Sequence, residues 1–213
     1  KGTVDKTAFS LLLMIGSGYY VYTEQIVSLI LPGCLLGLAV AIFTIFKKQY
    51  APITVPIYAL FQGLFLGGIS FMYGQMYEGI VYNAVLLTVT ILLSLLLVYR
   101  SGLIKPTENF KLGIFAATGG IALFYIISFV ASFFGGGLAI FDPTNGSMTS
   151  ILVSLFIVII ASLNLVLDFD FIEEASENGA PKYMEWYGAF GLLVTLIWLY
   201  LEILRLLSKL RSR

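Results

Sequence analysis

The chain has 213 residues, of which 59% are hydrophobic, 15% aromatic and only 11% charged, and its mean hydropathy is +0.97. Water-soluble domains carry about 25% charged residues, and a globule of this size could not cover itself with so few polar side chains, so the composition is that of an integral membrane protein. Twelve Lys and Arg balance twelve Asp and Glu, which leaves no basic footprint for nucleic acid. The lack of His and the single cysteine, Cys34, exclude Ser-His and Cys-His catalysis, imidazole metal sites and an internal disulfide.

The chain opens at Lys1-Gly2-Thr3 without a methionine, so a few residues are expected to precede it. The apolar stretch 8–22 resembles a signal-peptide core. It lacks a small-residue cleavage site and runs directly into a second apolar segment, so it reads as a mature first span. Crossing about 30 Å of hydrocarbon takes about 20 apolar residues. On that measure spans are expected at 7–22, 25–46, 53–77, 81–99, 112–134, 150–170 and within 183–207. Gly16 and Gly18 fray the first, while Tyr19, Tyr20 and Tyr22 suit an interfacial belt. Pro32 and Gly33 allow a kink in the second. Gly63, Gly67 and Gly68 give the third a small-residue face for close helix packing. The longest polar stretch is 168–182, and no repeat or soluble domain interrupts the chain, which reads as a single transmembrane domain, 1–213.

Lys and Arg in short loops set orientation. With a cytoplasmic N-terminus, Lys1 and Lys6, then Lys47 and Lys48, then Arg100, Lys105 and Lys111 all fall inside, and the opposite loops carry Glu24, Glu78 and Asp142. Seven crossings put Arg205, Lys209, Arg211 and Arg213 outside, against the rule; a last segment that re-enters would return them inside. The length of 189–207 favours seven crossings.

Ionisable groups at membrane depth are costly and mark functional sites. Two acids stand out: Asp168, followed by Asp170 at the end of an apolar run, and Glu202, inside WLYLEILRLL. Glu202 and Arg205 lie three apart on one helical face, so a local ion pair is one reading. The other joins Glu202 to Asp168. In a helical hairpin the two are equidistant from residue 185, within the Pro-, Lys- and Trp-containing segment 181–187. If a straight helix instead opens at Pro181, Asp168 is too shallow to meet Glu202. Two carboxylates in a poorly solvated site cannot both ionise cheaply, so such a pair titrates as a unit and senses pH. Deprotonated, Asp168 and Glu202 are hard oxygen ligands suited to transient Ca²⁺. Paired acids also serve glycosidases and aspartic proteases, but no DxG-type turn or substrate cleft is readable, and no enzyme activity is expected. The acidic run 168–177 lacks the EF-hand spacing, and no Lys lies deep enough in the last span for a retinal protein.

The C-terminal quarter, LNLVLDFDFIEEA followed by LLVTLIWLYLEILRLL, resembles the transmembrane Bax-inhibitor-motif family, most of all a bacterial-type member. The resemblance implies seven transmembrane helices, with two three-helix layers around a central C-terminal helix. It implies a pH-sensitive Ca²⁺ leak across the cytoplasmic membrane, with Asp168 and Glu202 as the sensing pair and Lys47 or Lys48 as a basic latch; Asp170 and Arg205, beside the two acids in the sequence, are candidate auxiliary residues. No cofactor is implied; Ca²⁺ is the permeating ion, and the partners are the lipid bilayer, Ca²⁺ and protons. The sequence departs from the family pattern in having Glu at 202, a longer connection between the acids, and Lys in place of Arg at the latch. A second reading makes the chain a non-conducting interaction protein that regulates a membrane protease or a stress or cell-death pathway, its carboxylates being structural ties.

Overall fold

The computed structural model describes residues 2–104, 106–134 and 139–213; Lys1 and Lys105, both assigned above to the cytoplasmic side, lie outside them. The protein is 87% helical, with no strand among the described residues. Seven α-helices follow in order: α1 Gly2–Glu24, α2 Ile30–Phe46, α3 Ala51–Met76, α4 Ile80–Arg100, α5 Glu108–Phe133, α6 Met148–Glu177 and α7 Tyr183–Arg211. Among the described residues six segments, containing α2 to α7, are long and apolar enough to cross a bilayer; this is a multi-pass membrane protein. The expected seventh span, α1, does not qualify by composition. Its 23 residues are long enough, about 35 Å at 1.5 Å per residue, but Asp5, Lys6, Ser10, Gly16, Ser17 and Gly18 dilute its apolar run.

The outward surface is apolar, as lipid contact requires. Only 11% of the most hydropathic stretch of α5 is buried, and Leu112, Phe115, Leu123 and Phe129 stand exposed along that helix. Burial is greatest for α7, at 56%, so the last helix is the one whose apolar residues meet mainly protein.

Two compact units share the chain, the first made of Lys1–Glu78 with Asp170–Ile197 and the second of Gly79–Phe169 with Trp198–Arg213. In the first unit, α1 and α2 both pack on α3. The expected glycine face is where they do so. A Cβ on Gly67 would run into the Gly18 carbonyl, and one on Gly63 into the Ser17 hydroxyl and the Met14 carbonyl. That closeness lets the Ser17 hydroxyl donate across the interface to the Leu60 carbonyl at 3.1 Å. Tyr22 and Phe71 meet edge to face further along, 6.2 Å apart. Ordered 17 to 60, then 18 to 67, then 22 to 71, these contacts make α1 parallel to α3. The helix α2 is antiparallel to α3, with Gly33 against Phe61 and Phe65 and Thr44 donating to Thr54 at 2.8 Å. Pro32 does not kink this span. A 3₁₀ turn at Val27–Leu29 precedes α2, so Pro32 falls in the first turn of α2, where its missing N–H costs nothing.

The start of α7 closes one end of this unit. Glu185 pairs with Lys6, Phe9 lies edge-on to Trp186 with centroids 6.3 Å apart, and the Lys48 ammonium sits 4.9 Å over the Tyr187 ring. An open cleft of about 390 Å³ lies beside them, lined by Gly2, Asp5, Lys6, Phe9 and Trp186.

In the second unit, α5 and α6 join through Ile114, Ile121, Ile157 and Ile160, with Tyr125, Phe141 and Trp198 packed around them. Asn164 of α6 donates to Thr118 of α5 at 2.9 Å. The helix α5 is started by Thr107, whose hydroxyl accepts from the Phe110 N–H at 3.3 Å, with Glu108 in the favourable first turn.

Candidate functional site

Among the described residues Glu202 is the acid whose side chain is buried as a whole, only 2% exposed, and it lies within the helix α7, which is of spanning character. A carboxylate taken out of water must be paired and hydrogen-bonded. One helical turn on, the Arg205 Nη1 donates to Glu202 Oε1 at 2.8 Å and to Oε2 at 2.9 Å. The same nitrogen donates to the Tyr125 hydroxyl at 3.0 Å, and that hydroxyl donates in turn to Glu202 Oε1. The guanidinium lies over two rings, with its central carbon 5.5 Å from the Tyr125 centroid and 5.6 Å from that of Phe141. Tyr125 and Phe141 themselves meet at a tilt of 44°, with centroids 4.8 Å apart. Acid, base, phenol and two aromatic faces thus form one closed cluster in the second unit, with stacking and charge-assisted hydrogen bonds acting together.

The local ion pair expected from the i, i+3 spacing is therefore present. Tyr125 escaped the sequence analysis. Its signal was a tyrosine inside the apolar run ALFYIISF, since a buried phenol needs a polar partner.

Asp168 is half-buried in α6, and Asp170 follows it, also half-buried. The bend expected at 181–187 is not there: α6 continues to Glu177 and α7 opens at Tyr183, so the connection lies at 178–182. Asp168 is nine residues from the end of α6, and Glu202 nineteen from the start of α7, or about 14 Å and 29 Å along the respective helices. The two acids are thus not equidistant from the turn along the chain, and the turn by itself does not bring them together. Lys47 caps the end of α2, and Lys48 begins the following 3₁₀ turn and faces Tyr187.

A second polar group was also missed. Lys209, expected in an outer tail, is fully buried in the last turn of α7. Its ammonium donates to the Ile140 carbonyl at 2.5 Å and to the Ser154 hydroxyl at 2.8 Å, with the Ser150 carbonyl at 3.4 Å. The neighbouring Ser208 donates to the Pro143 carbonyl at 2.9 Å. The segment they hold, between α5 and α6, is itself folded by Asp142, whose Oδ1 accepts from the Thr144 hydroxyl at 2.6 Å and its N–H at 2.8 Å. Those bonds from Thr144, with the charge of Lys209 adding to them, hold the Asp142 carboxyl below the usual carboxylate range.

Among the described residues no three His, Cys, Asp or Glu side chains gather as a metal site. No curated protein and no solved structure matches the chain. A sequence profile described as Bax inhibitor 1 like matches residues 1–212. With seven α-helices, six of them of spanning character, and a buried acid in the last, the chain belongs to the Bax inhibitor 1 like family.

Proposed function

We propose that this protein is a proton-regulated leak pathway for Ca²⁺ in the cytoplasmic membrane, with the Glu202 cluster as its sensor. The observation that carries the reading is a carboxylate buried at membrane depth and held by one arginine and one phenol. Deprotonated, Glu202 fixes Arg205 and the chain is closed. Protonation removes the charge that holds the guanidinium, Arg205 is released, and flux rises. Asp168 acts with Glu202 as the second carboxylate, and Lys47 or Lys48 as a basic latch. The pathway is not an enzyme and needs no cofactor; Ca²⁺ is its cargo.

The arrangement that goes with this function is seven crossings from a cytoplasmic N-terminus, in two layers of three helices around α7. The seventh crossing is supported by α1 running parallel to α3, and the central place of α7 by its burial. The cytoplasmic N-terminus is supported by Lys6 and Lys48 gathering at the start of α7, as basic residues do on that face.

A second reading, a non-conducting membrane regulator in which the acid is a structural tie, is favoured by the closure of the cluster, since Arg205 and Tyr125 both hold the Glu202 carboxylate. Ca²⁺ flux into liposomes across a pH series separates the two. The leak reading expects flux that rises with acidity, and a Glu202→Gln variant with raised flux and a flattened pH response; Asp168→Asn flattens it as well. Flux no greater than in protein-free liposomes at every pH overturns the leak.

A further inference from the structure

Lys209 presents a cationic group in a place that offers it oxygens and no carboxylate bond. Its side chain is fully buried, and its ammonium donates to two main-chain carbonyls and one hydroxyl, from Ile140, Ser150 and Ser154. Carbonyl and hydroxyl oxygens around a desolvated monovalent cation are what ion-conducting proteins use to replace a hydration shell. An ammonium group matches a potassium ion closely in charge and size. Asp142 and Glu202 lie near enough to act on its charge, but the bonds of the ammonium go to neutral oxygens. Here the oxygens converge from the start of α6 and from the α5–α6 connection, and α7 delivers the charge from its C-terminal turn, where its own helix dipole favours it.

We infer that these oxygens form a monovalent-cation cradle at the end of the second unit, and that Lys209 is its tethered resident cation. The amine keeps the cradle filled and fastens the α5–α6 connection to α7, a task shared by the adjacent Ser208 through Pro143. The side chain of Lys209 lies one turn beyond Arg205, so the two cations follow Glu202 along the last two turns of the helix. The cradle is independent of the leak reading and of the Glu202 sensor, and its test involves no flux.

The test removes the tether and supplies the cation from solution. Thermal unfolding of the purified full chain in detergent is followed for wild type and Lys209→Ala, in chloride salts of ammonium, potassium or choline at equal ionic strength. The cradle predicts that Lys209→Ala melts lower than wild type in choline, and recovers by ~2–4 °C in ammonium or potassium, the shift expected for about 1 kcal/mol in a chain of this size. Wild type melts alike in all three salts, and adding Ser154→Ala to the variant abolishes the recovery. A midpoint of Lys209→Ala that ignores the cation overturns the inference. Should that variant not fold, Lys209→Met keeps the apolar stem and removes only the charge. A lowered midpoint supports the cradle, because its oxygens then lack a cation, and a midpoint equal to wild type overturns it.

Discussion

Glu202 has two oxygens and a full charge to satisfy inside a membrane-spanning helix, and its surroundings supply Arg205 and Tyr125 for that purpose. Removing the base leaves an uncompensated buried charge, the expensive way to break a buried pair. Arg205→Leu is expected to cost about 3–5 kcal/mol of stability, read as a lowered unfolding midpoint in detergent. Tyr125→Phe keeps the ring between Arg205 and Phe141 and removes one bond to a charged group, for about 1.5–3 kcal/mol. Combined with Glu202→Gln, it should cost less than the sum of the two, because the residues share one network; strict additivity would show that the phenol acts elsewhere. Outside the helices of spanning character, Asp142 has a lowered carboxyl pKa, caused first by the Thr144 hydroxyl. The unfolded chain therefore takes up that proton first as pH falls. The contribution of Asp142 is complete above the ordinary carboxylate range and disappears as pH drops through its depressed value. Its side chain is solvent-facing, so the effect is small. Thr144→Ala should move the loss to higher pH, and Asp142→Asn should abolish this part of the acid dependence in unfolding measured across the acid range.

Among the elements, the contact of α1 with α3 depends most on single positions. Gly67 faces the Gly18 backbone so closely that an added methyl cannot be accommodated unless the helices part. Gly67→Ala is expected to destabilise by about 1–3 kcal/mol, the usual cost of overpacking. Gly119 of α5 has open space where its Cβ would go. Gly119→Ala should therefore be neutral or stabilising by up to ~1 kcal/mol through better helix propensity. Equal losses for both in thermal unfolding would mean that the glycines matter for a reason other than close approach. The same packing explains how α1 can be a helix of membrane length without a fully apolar sequence. Its Ser17 hydroxyl is satisfied by main-chain carbonyls of α1 and α3, and its Lys6 by Glu185, so these two polar groups face protein.

For the molecule as a whole, the testable quantity is topology. The basic residues Lys47, Lys48, Arg100 and Lys111 lie in alternate connections, or within one helical turn of them, and Glu24, Glu78 and Asp142 in or beside the others, the pattern on which the proposed cytoplasmic placement of the Lys and Arg loops rests. If α1 and α7 both cross, the N-terminus is cytoplasmic and Arg213 is outside. With Cys34 replaced, a cysteine introduced at Lys47 should react only with reagent reaching the cytoplasmic face, and one at Arg213 only from the other side. A C-terminal cysteine labelled from the cytoplasm alone overturns seven crossings. Seven crossings would set the tail against the charge rule, and the position of Lys209 accounts for part of that: the residue is buried among oxygens, so it does not act as a loop charge.

Local features of the chain were readable because their causes are local. Runs of apolar residues and the rise of the helix determined where α2 to α7 lie to within a few residues, except that α6 outlasts its apolar run by continuing through the amphipathic stretch to Glu177. Helical spacing announced the Glu202–Arg205 pair, and the Gly63–Gly67 spacing announced a close helix contact. Tertiary structure decided the rest. Tyr125 reaches Glu202 from 77 residues away and Lys209 reaches Ile140 from 69; no periodicity encodes which side chains a fold brings within hydrogen-bond distance. The place of the turn between α6 and α7 was not readable for the same reason. Where α6 stops and α7 starts depends on the turn, in which Gly179 takes a left-handed φ of 62° just before Pro181, and not on hydropathy. The sequence thus carried the class of the protein and the cost of its buried charges, while only packing could determine which partners meet that cost.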